Sequence, residues 1–136
     1  MPGGLAPTPS PETEPFWTAA REERLAIQRC NNCGRYYFYP RSFCRYCASS
    51  DVAWHDVSGL GTLVSYVINY RPVPPADPTP QVIALVELEE GPRILTNIVI
   101  SEPTPEKLPL DAPVTVEWEP RGTDAKVPVF RLVNAA

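Results

Sequence analysis

The chain begins without an apolar period. Residues 1–12 mix proline and glycine with small side chains and read as a flexible arm, because Pro and Gly do not fill a helix and little apolar surface is present. From Thr13 a helical period starts: Phe16, Ala19 and Ala20 recur on one face, Thr13 stands at an N-cap position, and Glu14 and Pro15 suit a first turn. Residues 13–28 are predicted as an N-terminal helical segment. At its end the period shortens, with Leu25 and Ile27 alternating against Ala26 and Gln28, the pattern of a short strand leading into Cys30.

Alternation dominates after residue 57. Gly61–Tyr70, Gln81–Glu89, Arg93–Ile100, Val114–Glu119 and Val127–Val133 are strand-like runs separated by turn-formers, and no helical period of useful length interrupts them. Residues 57–136 are therefore read as a five-stranded barrel of the OB type, with an SH3-like barrel or a small sandwich as competitors. Glu89-Glu90-Gly91-Pro92 makes a tight hairpin between the second and third runs, and Gly59 and Gly61 allow a bent first strand to start without a Cβ clash. Most of the 18 prolines fall in the arm and the links. Pro128 lies inside a strand, which predicts an edge position for the last run.

Size adds a constraint. A chain of 136 residues has room for one medium domain or two small pieces, and a piece of about 40 residues or fewer usually needs more than apolar burial to fold. The stretch 29–56 is such a piece, and it holds all four cysteines, Cys30, Cys33, Cys44 and Cys47. Two CxxC pairs with ten residues between them bring four thiolates to one tetrahedral point. Zinc suits that set; iron in a rubredoxin-type site uses the same ligands, and a redox dithiol needs only one pair. Gly34 after the first pair suits a left-handed backbone, whereas Ala48 in the matching place predicts some strain. Four thiolates leave no open position, so the metal reads as structural.

Charge sharpens this picture. Residues 24–47 carry five arginines and no acid, whereas residues 48–136 carry six basic against twelve acidic groups. The basic stretch interleaves Arg35, Arg41 and Arg45 with Tyr36, Tyr37, Phe38, Tyr39 and Phe43, a composition able to hold phosphates and stack bases. A single-stranded nucleic-acid binder is one reading, opposed by the acidic barrel half. His55 is the one histidine, and with the cysteines taken as ligands no activated nucleophile remains, so no catalytic residue is assigned. No run is apolar enough to span a bilayer and no export leader is evident, which makes a cytoplasmic protein the expectation.

Three stretches, PETEPFW from Pro11, RCNNCGRYYFYPRSFCRYC from Arg29 and SGLGTLVSY from Ser58, resemble the DUF35 family of zinc-ribbon/OB-fold proteins, with Ala48 replacing the commoner glycine. The resemblance implies a helical segment, a rubredoxin-like ribbon over residues 29–56 and an OB-fold. It also implies a non-catalytic accessory subunit in a hetero-oligomer with a thiolase-superfamily enzyme: a lipid-transfer-protein-like aldolase cleaving a steroid side-chain CoA thioester, a thiolase, or a hydroxymethylglutaryl-CoA synthase. Phe16, Trp17, Arg35, Tyr37, Tyr39, Arg41 and Arg45 are the candidate contacts for acyl-CoA or that partner.

Overall fold

The computed structural model describes residues 5–74 and 78–133. The structure is mainly β. A helix, α1 (Glu14–Arg21), leads into β1 (Ala26–Cys30), which pairs with β2 (Tyr36–Tyr37) and β3 (Val52–Asp56) as the middle of an antiparallel sheet ordered β2-β1-β3. The chain then forms β4 (Leu60–Asn69), β5 (Gln81–Leu88), β6 (Arg93–Ile98), β7 (Pro113–Arg121) and β8 (Ala125–Leu132). These five close into a barrel ordered β4-β5-β6-β8-β7.

The helix is shorter than its predicted segment. Phe16, Ala19 and Ala20 are buried, and the helix ends when Glu23 turns left-handed at φ 59° and its N–H reaches the carbonyl of Ala20 at 2.9 Å. Thr13 occupies the N-cap position without capping: its Oγ1 accepts the N–H of Ser10 at 2.8 Å instead. β1 is buried on both faces at Ile27 and Gln28, since it is covered by the barrel on one side and the ribbon loop on the other.

Both glycines at the start of β4 are sterically required. A Cβ on Gly59, at φ 79°, would come within 2.5 Å of Val116, and one on Gly61 would come within 2.5 Å of the carbonyl of Glu87. The predicted hairpin is also present, closed by the N–H of Gly91 donating to the carbonyl of Leu88 at 2.9 Å.

Pro128 is not on a sheet edge. β8 lies between β6 and β7, but its ladder to β6 has a single pair, Ile98 with Phe130, and the Pro128 carbonyl accepts the Thr96 hydroxyl at 3.1 Å. The missing N–H therefore faces a seam held by a side chain, where no ladder bond is lost.

One apolar cluster unites the barrel with the elements before it. Phe16 of α1, Leu25 just before β1 and Ile27 of β1 pack with Leu63, Val82, Val86, Ile98, Val114 and Phe130. A second, much smaller cluster holds Cys30, Tyr37 and Cys44, with Val52 against it. The first folds on apolar burial; the second contains little to bury and is built around sulfur.

Candidate metal centre and the surface around it

Each CxxC pair closes a tight turn of the same form. The N–H of Gly34 donates to the carbonyl of Cys30 and the N–H of Ala48 to that of Cys44, both at 2.9 Å, and residues 34 and 48 both have left-handed backbone, at φ 80° and 63°. The alanine thus takes the conformation that glycine takes without cost. Backbone N–H groups also point at sulfur: Cys33 donates to Cys30 Sγ at 3.4 Å and Tyr46 to Cys44 Sγ at 3.3 Å.

The four ligand atoms lie within 4.8 Å of one another. Cys30 and Cys47 Sγ are 3.6 Å apart, and Cys33 and Cys44 Sγ 3.7 Å. These separations are too long for disulfides. They match the edge of a tetrahedron with metal–sulfur bonds of 2.3 Å, which is about 3.8 Å. The cluster is half sheltered, with Cys30 and Cys44 buried and Cys33 and Cys47 exposed.

As free thiols, Cys33, Cys44 and Cys47 do not hold their protons equally. The Asn32 amide, 3.5 Å from Cys47 Sγ, and the N–H of Ser49 lower the Cys47 thiol to about 6, against the opposing effect of burial. For Cys44, burial acts most strongly and pushes upward, but N–H groups of Tyr46 and Cys47 outweigh it and the net shift is down. Cys33 is pushed up to about 11: the N–H of Arg35 favours its thiolate, but burial and the three neighbouring sulfurs prevail together.

A residue without a sequence signal organises the loop between the pairs. Gln28 is buried and makes two bonds to the backbone of Arg41, Nε2 donating to its carbonyl and Oε1 accepting its N–H, each at 2.7 Å. Tyr37, also buried, donates its hydroxyl to the same carbonyl at 3.2 Å. A glutamine on the buried phase of a short strand is the only hint of this clamp.

The other candidate contacts divide by burial. Phe16 is in the core, edge-on to Trp17 at 4.8 Å and 5.5 Å from Phe38 between ring centres. Tyr37 is in the sulfur cluster. Trp17 and Tyr39 line a largely apolar cleft of about 310 Å³ between α1, the ribbon loop and the barrel, together with Pro40, Leu95, Arg121 and Pro128. Tyr39 is 55% exposed although its hydroxyl accepts the N–H of Leu95 at 3.3 Å. Arg35, Arg41 and Arg45 are exposed. Arg35 and Arg45 both lie over the ring of Tyr46, at 4.6 and 5.3 Å from its centre. His55 stands 6.3 Å from Tyr36 between ring centres, its Nε2 buried without a hydrogen-bond partner among the described residues.

Known proteins share this arrangement. Residues 17–53 match the family described as "ChsH2, rubredoxin-like zinc ribbon domain" and residues 54–119 the one described as "ChsH2, C-terminal OB-fold domain". A solved structure titled "Ltp2-ChsH2(DUF35) aldolase" contains a chain 35% identical to this one, with a TM-score of 0.83 over 93% of this chain and 98% of that one. The chain belongs to the DUF35 family. A second DUF35 structure, from Sulfolobus solfataricus, shares the fold at 16% identity, with a TM-score of 0.63 over 90% of this chain and 86% of that one.

Among curated relatives, a "Probable enoyl-CoA hydratase alpha subunit" of Thermomonospora curvata is 37% identical over 96% of this chain but only 41% of its own length. The "3-oxo-4,17-pregnadiene-20-carboxyl-CoA hydratase alpha subunit" of Mycobacterium tuberculosis is 34% identical over 73% of this chain and 32% of its own. A "DUF35 domain-containing scaffold protein" of Methanocaldococcus jannaschii is 39% identical over 64% of each. The chain thus spans less than half of the two hydratase subunits it matches. No helix among the described residues is long and apolar enough to cross a membrane.

Proposed function

We propose that this chain is the accessory subunit of a thiolase-superfamily acyl-CoA enzyme, an aldolase that cleaves a steroid side-chain CoA thioester by a retro-aldol step. The observation that carries the reading is the match at 35% identity to nearly the whole of a chain in the Ltp2-ChsH2(DUF35) aldolase. Zinc is the ion proposed for Cys30, Cys33, Cys44 and Cys47, supported by the match to a zinc-ribbon family and by sulfurs gathered as a tetrahedral site requires. With four thiolates it has no position for substrate, and its role is to hold the ribbon.

Carbon–carbon cleavage falls to the partner, and this chain stabilises the partner and positions the thioester. Trp17 and Tyr39 at the cleft and Arg35, Arg41 and Arg45 on the ribbon are the exposed or half-buried members of the contact set; Phe16 and Tyr37 are its buried members.

The nucleic-acid alternative loses ground on the barrel surface. The outward positions of β4 to β6 carry Val67, Ile83, Leu85 and Leu95, and the one cation there, Arg93, is held by Glu87 at 3.0 Å. Single strands need free cations and stacking rings on that face.

A second reading follows from the names of two relatives, in which the matched part belongs to a CoA-ester hydratase subunit. One experiment separates the two. The tagged protein is purified from its native cells, and retained proteins and metal are identified in the same eluate. A thiolase-superfamily subunit with about one zinc per chain supports the aldolase reading. A hydratase subunit alone shifts the function to hydration, and nucleic acid with neither enzyme overturns both.

A further inference from the structure

The cations of this protein are unevenly partnered. Every lysine and arginine described between residues 78 and 133 has a carboxylate partner: Arg93 with Glu87, Lys107 with Glu102, Arg121 with Glu119, Lys126 with Glu23 and Arg131 with Glu117. The ribbon differs. Arg35, Arg41 and Arg45 are exposed and form no ion pair among the described residues. The nearby carboxylate of Asp51 is bonded by the Asn31 amide at 3.0 Å.

Offsetting the thiolate charge is the obvious role for such arginines, but their placement does not serve it. The side chain that reaches sulfur is that of Asn32, which donates to Cys47 Sγ, and the other donors are backbone N–H groups. Arg35 and Arg45 instead stack on Tyr46, which is itself 48% exposed. Stacking on a ring fixes a guanidinium by its face and leaves its N–H edges free, the arrangement that receives carboxylates in bidentate fashion. It also occupies the ring, so a nucleotide base cannot use Tyr46 as a platform without displacing an arginine.

We propose that Arg35, Tyr46 and Arg45 form a docking site for carboxylates on the surface of a partner protein, separate from any CoA contact at the cleft. The proposal rests on the accessory-subunit reading only for the identity of that partner. An acidic protein face suits the site because Arg35 and Arg45 converge on one ring, whereas residues 48–136 carry six basic against twelve acidic groups and those of their cations described from residue 78 on are paired with carboxylates.

The test uses the zinc-loaded full chain and three probes: poly-L-glutamate, adenosine 3′,5′-bisphosphate and the thiolase-superfamily subunit. At low salt the wild type binds poly-L-glutamate, and each of Arg35→Ala and Arg45→Ala weakens that binding and the association with the subunit by about tenfold. Arg35→Lys with Arg45→Lys, which keeps charge but loses the fork, gives an intermediate loss at unchanged zinc content and guards against misfolding. The bisphosphate does not compete.

Absence of poly-L-glutamate binding, indifference of the subunit to both alanine variants, or effective competition by the bisphosphate each overturns the proposal. Indifference of a subunit that still binds leaves the accessory-subunit reading standing. Poly-L-glutamate binding that needs both arginines, without any subunit binding, removes that reading and keeps the carboxylate site.

Discussion

The ribbon and the barrel are both β-structure, yet they are held by different forces. The barrel draws Leu63, Val82, Val86, Leu88, Val114 and Phe130 into a dry interior, each no more than 2% exposed. The tip of the ribbon buries one tyrosine and two cysteines, with Val52 partly covered. Apolar burial therefore supplies the barrel but not the tip, where metal–sulfur bonds must replace it. Charge differs too: the cations between residues 78 and 133 are paired with carboxylates of the chain, and Arg35, Arg41 and Arg45 of the ribbon form no ion pair among the described residues.

The largest effect that tests this contrast is removal of the metal. Cys44→Ser takes away a buried ligand and forfeits on the order of 10 kcal/mol of metal-linked folding energy. Amide exchange measured by mass spectrometry should show protection lost in the two CxxC turns and β2 but kept in β5 and β7. β1 should persist in part, since Leu25 and Ile27 are anchored in the barrel. Collapse of the barrel along with the turns would mean that the two regions share one source of stability.

Phe130→Ala is the reciprocal probe. It empties a fully buried position and should cost about 3–5 kcal/mol in urea unfolding. Metal content at low urea should stay at about one ion per chain; loss of metal in the folded variant would mean that the barrel core also maintains the sulfur cluster.

Acid should loosen the metal's hold on the ribbon. Metal takes the thiolate, so any thiol still protonated must release its proton on loading. Cys47, lowered to about 6, releases almost none above neutral pH, whereas Cys33, pushed up to about 11, does so throughout the physiological range. Apparent metal affinity should therefore rise with pH between 7 and 9, by about 1.4 kcal/mol or tenfold per unit for each proton released, and fall on acidification. A competition titration with a chromophoric chelator measures the slope; a flat profile would contradict the proton assignment.

The smallest effect is also the most local. Ala48→Gly relieves a left-handed alanine at φ 63° and should stabilise the loaded ribbon by about 1 kcal/mol, read as slower metal loss to a chelator. Denaturation of the barrel should be unchanged.

Much of this organisation is legible in the sequence because the controlling patterns are short. Cysteine spacing specifies the sulfur cluster, and strict alternation in Gln81–Leu88 reports a strand with one buried face. β3 is not legible: Val-Ala-Trp-His-Asp has weak alternation, since its residues are all half-buried or exposed at the side of a small sheet. The Gln28 clamp depends on a loop 13 residues away, and a polar residue on a strand carries no sign of its partner. Thr13 illustrates a different limit, because the same hydroxyl that suits an N-cap equally suits the turn before it. For Pro128 the rule about missing N–H groups holds, but which strand margin is free depends on how the barrel closes.

Leu25 and Ile27 precede the cysteines in sequence but belong to the barrel interior, and the two family matches meet between residues 53 and 54, inside β3. The ribbon is thus not a detachable cassette. A recombination event that exchanged it between relatives at that junction would also exchange part of the neighbour's core, so ribbon and barrel are expected to be inherited, and to diverge, as one unit.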